Sequence, residues 1–310
     1  MKIVRGTKNI VGPIPSPIVA IGNFDGVHRG HQIIFHRVAD IARELKGTGV
    51  VITFEPHPLK IIAPEKVPPL LTTFRKKMEL IEECGIDQVI CADFTRKFAD
   101  QAPRDFAKNI LVDKIGVREI VVGFDYAFGR GRAGTLAYLK KMGEEFDFKV
   151  HVIDPVKIED HLISSSRVRE LIEDGEVETA RKFLGRPYSL QGPVIKGYKT
   201  GHSIGFPTAN IDTHRVQIPA TGVYAVWVLH EKKKYKGVVN IGFNPTFHRD
   251  RLSVEAHILD FKETLYGQEI EIIFLRRIRD EIEFKSADDL VEQIRKDIEE
   301  ANKIISEEID

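Results

Sequence analysis

The chain has 310 residues, enough at about 150 per domain for two domains. Hydrophobic residues make up 42% and charged residues 30%, a composition that excludes a disordered tail and can fill real cores. The 46 basic and 46 acidic side chains cancel, which argues against bulk nucleic-acid binding but leaves room for a small basic pocket around one phosphorylated ligand.

The chain opens on Met1-Lys2-Ile3-Val4-Arg5-Gly6, which has no apolar leader core, so no signal peptide is expected. No window approaches about 18 uninterrupted apolar residues, so no membrane span is expected and the cytoplasm is the expected compartment. Ile18-Val19-Ala20-Ile21 is a compact strand candidate, and Ile34, Val38, Ile41, Ala42 and Leu45 follow at helical spacing. Gly47-Thr48-Gly49 breaks that helix, and residues 50–54 read as the next strand. Met78, Leu80 and Ile81 mark a further helix, and residues 88–91 a strand that ends in Cys91. Cys91 and Cys84 are the two cysteines; they exclude a disulfide scaffold and a four-cysteine zinc site and read as buried structural thiols. Residues 106–115 read as helix, 119–122 as strand, 136–142 as helix and 149–153 as a fifth strand. Strands that are apolar throughout and separated by helices imply a parallel sheet covered on both faces, with ligands beyond the carboxyl ends of the strands.

Ser166 is a plausible N-cap for a helix that runs to Asp174 and stops at Gly175. A short helix from Val177 to Leu184 ends at Gly185-Arg186-Pro187, and the domain boundary is placed there, giving 1–185 and 186–310. The second half changes character. Residues 222–229, 235–241, 253–259 and 269–275 are β-rich runs, divided by turns, with no long helix between them. That pattern implies an antiparallel barrel or sandwich. Glu231-Lys232-Lys233-Lys234 reads as a solvated hairpin tip. The chain closes on one amphipathic helix with Leu290, Val291, Ile294, Ile298, Ala301 and Ile305 as its apolar stripe.

Two constellations carry chemistry. Gly22-Asn23-Phe24-Asp25-Gly26-Val27-His28-Arg29-Gly30-His31 follows the first strand of that reading and opens its helix. Gly22 and Gly26 let backbone approach a ligand, and the helix N-terminus offers unpaired N–H groups to phosphate. His28 and His31, three apart, share one face of the first turn and can offset charge on a leaving pyrophosphate. The plainer alternatives are capping histidines, or a metal site of Asp25, His28 and His31 that no further thiolate or carboxylate cluster completes. In the second half, Gly201-His202-Ser203-Ile204-Gly205-Phe206-Pro207-Thr208-Ala209-Asn210 is odd for a strand. Pro207 removes a ladder donor, while Thr208 and Asn210 point to one side, where a hydroxyl and an amide oxygen can complete the shell of Mg²⁺ with ATP phosphates.

The first decapeptide resembles the G-x-F-D-x-x-H-x-G-H signature of the nucleotidyltransferase superfamily. More closely, it is similar to the N-terminal module of the bifunctional prokaryotic riboflavin kinase/FAD synthetase family. Three more stretches match in order: Thr53-Phe54-Glu55-Pro56-His57-Pro58, then Gly123-Phe124-Asp125-Tyr126-Ala127-Phe128-Gly129 with Gly134, then Ile163-Ser164-Ser165-Ser166-Arg167-Val168-Arg169. Ser166 stands where the family usually has threonine, which keeps the hydroxyl. The second decapeptide resembles the kinase motif G-x-x-x-G-F-P-T-A-N, with His202 where arginine is frequent. Gly222-Val223-Tyr224, Asn240-Ile241-Gly242 with Pro245-Thr246-Phe247, Val254-Glu255, Leu265-Tyr266-Gly267 and Arg279-Asp280-Glu281 follow in register.

The resemblance implies an α/β Rossmann-like nucleotidyltransferase domain, then an antiparallel β-barrel domain with a C-terminal helix. It implies phosphorylation of riboflavin to FMN in the second domain and adenylylation of FMN to FAD, with release of pyrophosphate, in the first. Both steps are in-line displacements at phosphorus without a covalent enzyme intermediate. For the adenylyltransferase it implies that ATP is held by Gly22, Asn23, Phe24, Asp25, Gly26, His28, His31, Ser164, Ser165, Ser166 and Arg167. Flavin is then held by Asn23, Asp125 and Phe128. For the kinase it implies ATP on Gly201, Ser203, Gly205, Pro207, Thr208 and Asn210, Mg²⁺ on Thr208 and Asn210, and flavin on Arg279 and Glu281. Glu255 is the implied base for the ribityl hydroxyl, against the plainer reading of a cross-strand ion pair. Riboflavin, FMN and ATP are the expected partners; nucleic acid and membrane are not, and self-association into a homo-oligomer stays open. The competing readings are another H-x-G-H nucleotidyltransferase fused to an unrelated β domain, and a flavin sensor without turnover.

Overall fold

The computed structural model describes residues 1–196, 205–213, 216–243 and 252–308. The chain divides into two compact units, Met1–Pro68 with Phe74–Ser164, and Pro69–Thr73 with Ser165–Asp310.

The first unit is built on a six-stranded parallel sheet. Its strands are β1 (Lys2–Arg5), β2 (Pro17–Ile21), β3 (Thr48–Glu55), β4 (Gln88–Asp93), β5 (Glu119–Gly123) and β6 (Lys149–Ile153). Their spatial order is β1-β4-β3-β2-β5-β6. β1 is an addition to the five expected strands. It is short, charged at both ends and buries only Val4, so its apolar signal is that of an edge strand. Alternate residues of β2 feed opposite cores. Val19 and Ile21 join Phe106, Leu111 and Leu139 on one face; Ile18 and Ala20 join Phe35, Val38 and Ile81 on the other. Helix α1 (Arg29–Glu44) and helix α2 (Phe74–Glu83) cover the second face. The first is covered by a helix that begins at Pro103 as an α turn, continues as a π-helix over Ala107–Ile115 and ends at left-handed Gly116. Helix α3 (Leu136–Phe146) lies on the same face.

The order of strands sets the site. From β2 the chain builds outward through β3 and β4; it then returns to add β5 on the other side of β2. The crevice beyond the carboxyl ends of β2 and β5 is therefore the switch point of the sheet, where open parallel sheets bind ligands. The 22–31 loop follows β2, and the 123–134 loop follows β5. A two-stranded ribbon of β7 (Lys157–Ile158) and β8 (His161–Leu162) precedes the end of this unit.

The second unit is a closed antiparallel barrel. Its strands are β9 (Ser189–Ile195), β10 (Ala209–Ile211), β11 (Gly222–His230), β12 (Lys233–Phe243), β13 (Leu252–Ile258) and β14 (Glu269–Arg279), in the order β10-β13-β12-β11-β14-β9 with β9 closing on β10. Closure resolves the choice between barrel and sandwich. The solvated tip is a two-residue turn at Glu231 and Lys232. Helix α4 (Ser165–Glu173) and helix α5 (Val177–Leu184) pack with this unit. Ser166 is not the cap of α4: the helix starts at Ser165 and Ser166 lies in its first turn, and with three consecutive serines that each suit the cap the local sequence does not single one out. Gly175 supplies the positive φ of 79° that ends α4. The C-terminal helix α6 (Ala287–Glu307) is capped by Ser286, whose hydroxyl accepts from the Asp289 N–H at 3.1 Å. It lays Ala301, Ile304 and Ile305 on Val223, Ala225 and Val238 of the barrel wall.

Candidate active sites

In the first unit, residues 22–31 form one tight loop. Phe24, Gly26 and Val27 all have positive φ, at 53°, 79° and 41°. A β-branched valine in that region is strained, and such strain persists only where surrounding contacts over-determine the backbone. Those contacts are explicit. The Gln32 amide donates to the Val27 carbonyl at 2.9 Å, and the Gly22 N–H donates to the Ile52 carbonyl at 3.1 Å. The Thr53 hydroxyl donates to the Asn23 carbonyl at 3.1 Å. Gly22 has no room for a side chain, since a Cβ there would stand 2.9 Å from the Phe24 ring.

His28 is the N-cap of α1. Its Nδ1 accepts from the His31 N–H at 3.3 Å, so in the neutral ring the proton sits on Nε2. The His28 and His31 rings stack with centroids 3.6 Å apart, and Phe24 stands edge-on to His31 at 5.2 Å. Asp25 and His28 are buried. Gly22, Asn23, Phe24, Asp25, Gly26, His28 and His31 are thus brought together, and the N-terminus of a 16-residue helix adds its positive end. Asp125 is exposed just beyond β5, where a Cβ at Gly123 would meet its Oδ1 at 3.4 Å and Ile34 of α1 at 3.8 Å. Phe128 is buried, stacked on Tyr126 at 5.6 Å and tilted against Phe106 at 5.7 Å. Ser164 closes the first unit; Ser165, Ser166 and Arg167 open the second, with Arg167 Nη1 paired to Glu170 at 3.0 Å.

In the second unit, the strand registers line up a row of side chains across the barrel wall. Arg279 faces Val223, Val223 faces Asn240, Asn240 faces Glu255, and Glu255 faces Asn210. Arg279, Asn240 and Glu255 line a cavity of about 270 Å³, walled on another side by Leu290, Ile294 and Asp297 of α6. Arg279 is held by a two-pronged pair to buried Asp297, Nε to Oδ1 at 2.9 Å and Nη2 to Oδ2 at 2.7 Å. Glu281 also lines the cavity. A Cβ at Gly242 would collide with its carboxylate, and burial raises its pKa despite nearby Arg279. A second cavity of about 370 Å³ is lined by Pro207, Thr208, Ala209, Leu265 and Tyr266. Among the described residues Thr208 is common to both linings, and its hydroxyl donates to Glu255 Oε2 at 3.2 Å. Gly205 takes a φ of 87° at the start of this segment. Gly201, His202, Ser203, Pro245, Thr246 and Phe247 lie outside the described residues.

A family model for FAD synthetase matches residues 14–167, and one for riboflavin kinase matches residues 184–305. The bifunctional riboflavin kinase/FMN adenylyltransferase of Escherichia coli K12 is 38% identical over 299 residues, covering 96% of each chain. The protein of that name from Haemophilus influenzae is 38% identical over 302 residues, 97% of this chain and 98% of its own. The chain belongs to the bifunctional riboflavin kinase/FMN adenylyltransferase family. A crystal structure described as a macrolide-efflux protein from Streptococcus pneumoniae, 34% identical, superposes with a TM-score of 0.87 over 97% of this chain and 99% of its own. It shares the two-unit fold; among the described residues here, no helix is long and apolar enough to cross a membrane.

Two residues that touch these sites escaped the motifs. In the riboflavin kinase half, Asp297 stands on the α6 stripe between Ile294 and Ile298, and a charge inside an apolar stripe is the signal that would have found it. In the FAD synthetase half, Lys77 lies inward at 7% exposure, hidden in the run Arg75-Lys76-Lys77. Its Nζ donates to the Asn23 carbonyl at 3.2 Å and to Thr53 Oγ1 at 3.2 Å.

Proposed function

We propose that the kinase reaction takes place across Thr208, with riboflavin in the cavity beneath α6 and ATP in the cavity beside Leu265 and Tyr266. The chain is a bifunctional enzyme that phosphorylates riboflavin with ATP to FMN and adenylylates FMN with a second ATP to FAD, releasing pyrophosphate. The proposed division assigns adenylylation to residues 1–185 and phosphorylation to residues 186–310. The observation that carries the kinase assignment is the position of Thr208 on both linings, hydrogen-bonded to Glu255. A phosphoryl group on one side of that threonine and a hydroxyl on the other are within reach of a single displacement.

In this reading Glu255 takes the proton of the ribityl 5′-hydroxyl as its oxygen attacks the γ-phosphorus, and ADP leaves. Arg279 and Glu281 hold the flavin, with Asp297 fixing the guanidinium. Gly205, Pro207, Thr208 and Asn210 hold the nucleotide, as do Gly201 and Ser203 by resemblance. The oxygens of Thr208 and Asn210, one beside Glu255 and the other opposite it in register, suit a hard cation that keeps several waters and completes its shell with phosphate. Mg²⁺ held there would supply neutralisation of charge on the transferring phosphoryl group.

For adenylylation, a phosphate oxygen of FMN attacks the α-phosphorus of ATP. The segment 22–26 and the N-terminus of α1 cradle the triphosphate, and His28 and His31 donate to the departing pyrophosphate. By resemblance, Ser164, Ser165, Ser166 and Arg167 are assigned to ATP, and Asn23, Asp125 and Phe128 to the flavin. The cytoplasm, where ATP is made and used, is the proposed compartment. The test is incubation with riboflavin and MgATP, with FMN and FAD separated by chromatography. Replacing His28 and His31 by Ala is expected to abolish FAD while FMN accumulates. Glu255→Gln is expected to abolish FMN formation while supplied FMN still becomes FAD. Loss of both activities in either folded variant refutes the division.

A further inference from the structure

We propose that Lys77 is the positioning residue of the adenylylation loop: its ammonium joins the Asn23 carbonyl to the Thr53 hydroxyl and so fixes the strained backbone that carries Asp25 and leads to His28. The inference rests on reading that loop as the adenylyl-transfer site.

Lys77 belongs to α2, whose Met78, Leu80 and Ile81 pack against the sheet. Its neighbours Arg75 and Lys76 pair with Glu79 at 3.1 and 3.8 Å. Lys77 instead turns inward to the carboxyl ends of β2 and β3, and Thr53 beneath it is wholly buried. A cation in such a slot is costly, and a methionine fills the same volume without that cost, so the amine is there for its donors and its charge. Burial lowers its pKa; the Asp25 and Glu55 carboxylates and Cys91 oppose that shift and favour the ammonium.

The geometry says what the ammonium does. Residues 24–27 run through three positive φ values and need to be held at both ends. The Gln32 side chain holds the far end at the Val27 carbonyl. Lys77 and Thr53 hold the near end at the Asn23 carbonyl, and each also bonds the other, so the three oxygen and nitrogen atoms form a closed triangle. Charge adds a second effect. Asp25 is buried in the loop that receives a triphosphate, where a carboxylate repels phosphate; the ammonium offsets it. Lys77 is therefore placed to act on the reaction through Asn23 and Asp25, without touching the transferred group.

The test uses the full-length enzyme, with riboflavin phosphorylation in the same molecule as a control. For Lys77→Met, kcat for FAD formation from FMN and ATP is expected to fall at least about tenfold, with KM for FMN within about threefold, since a small misplacement of reacting groups costs rate before affinity. FMN formation from riboflavin is expected to be unchanged. Thr53→Val removes the hydroxyl that bonds both Lys77 and Asn23 and is expected to lower the same kcat. The double variant is expected to be no slower than Lys77→Met alone, because one unit has been broken twice. The proposal is overturned if Lys77→Met keeps kcat within about twofold of the parent, or if the two losses multiply. Should Lys77→Met lose the cooperative melting of the first unit, Thr53→Val decides: an unchanged kcat there overturns the proposal. A parent enzyme that makes no FAD, or one indifferent to His28→Ala, refutes the reading of the loop itself.

Discussion

Asp297 and Tyr224 show how single buried groups hold the kinase unit together. Asp297 gives both carboxylate oxygens to Arg279 and accepts from the Gln293 amide at 2.9 Å. Asp297→Ala removes two bonds from the Arg279 guanidinium and leaves it the Asp280 carbonyl and the nearby Glu281, a loss at or below the lower end of the about 3–5 kcal/mol that breaking a fully buried pair costs. We expect that loss in denaturant melts and a raised KM for riboflavin in steady-state assays. Tyr224 is wholly buried and donates to the Ala220 carbonyl at 2.6 Å; burial pushes its pKa from 10.0 up to about 12, against the pull of Arg277. The folded chain thus holds this proton more tightly than the unfolded chain, so the associated stability is present below pH 10 and is lost as pH rises toward 12. The stability difference between the parent and Tyr224→Phe should narrow over that interval in denaturant melts; a constant difference contradicts it. The loop that carries His28 and His31 and the strand that carries Glu255 were legible in the sequence because each is one contiguous segment. Lys77 was not, because its partner Asn23 lies 54 residues away and only sheet packing brings the two together.

The strands and helices were legible where their periodicity was strong, and their shortest members were not. β1 shows four residues with one buried, and β10 three residues after a proline, so neither presents enough alternation to be read; β9, though seven residues long, is no more legible, because Gly192 and Pro193 interrupt its alternation of Leu190 and Val194. The hairpin β11–β12 was legible as two apolar runs, but its turn was not typical. Glu231 and Lys232 sit at φ of 46° and 67°, the conformation that Asn-Gly takes with least strain. Replacing the pair by Asn-Gly is expected to stabilise the barrel by about 1 kcal/mol, measured by equilibrium unfolding, with catalysis unchanged. An unaltered or lower midpoint speaks against strain in that turn. The registers of β10 to β14, which place Asn210, Glu255, Asn240 and Arg279 in one row, depend on closure of the barrel, and no local pattern specifies closure.

At the level of the whole chain, the α/β half and the β half were legible because one alternates strands with helices and the other does not. The assignment of α4 and α5 to a compact unit was beyond local patterns. Ala220 donates its N–H to the Ile172 carbonyl at 3.2 Å, and Arg276 of β14 pairs with Glu178 of α5 at 3.0 Å. Val177, Ala180, Phe183 and Leu184 are buried. A fragment of residues 165–310 should therefore melt at least about 5 °C above one of residues 186–310 by differential scanning calorimetry. Equal midpoints would show that these helices add nothing to the barrel. Residues Pro69–Thr73 were the least legible of all: they are embedded in the first half of the chain yet belong to the second unit, where Leu70 bridges to Val216 and accepts from the Gln217 N–H at 2.7 Å. On the ribosome this stretch emerges long before its partner has been translated. The nascent chain must therefore carry these five residues through the synthesis of everything up to Val216 before they can take their place in the fold.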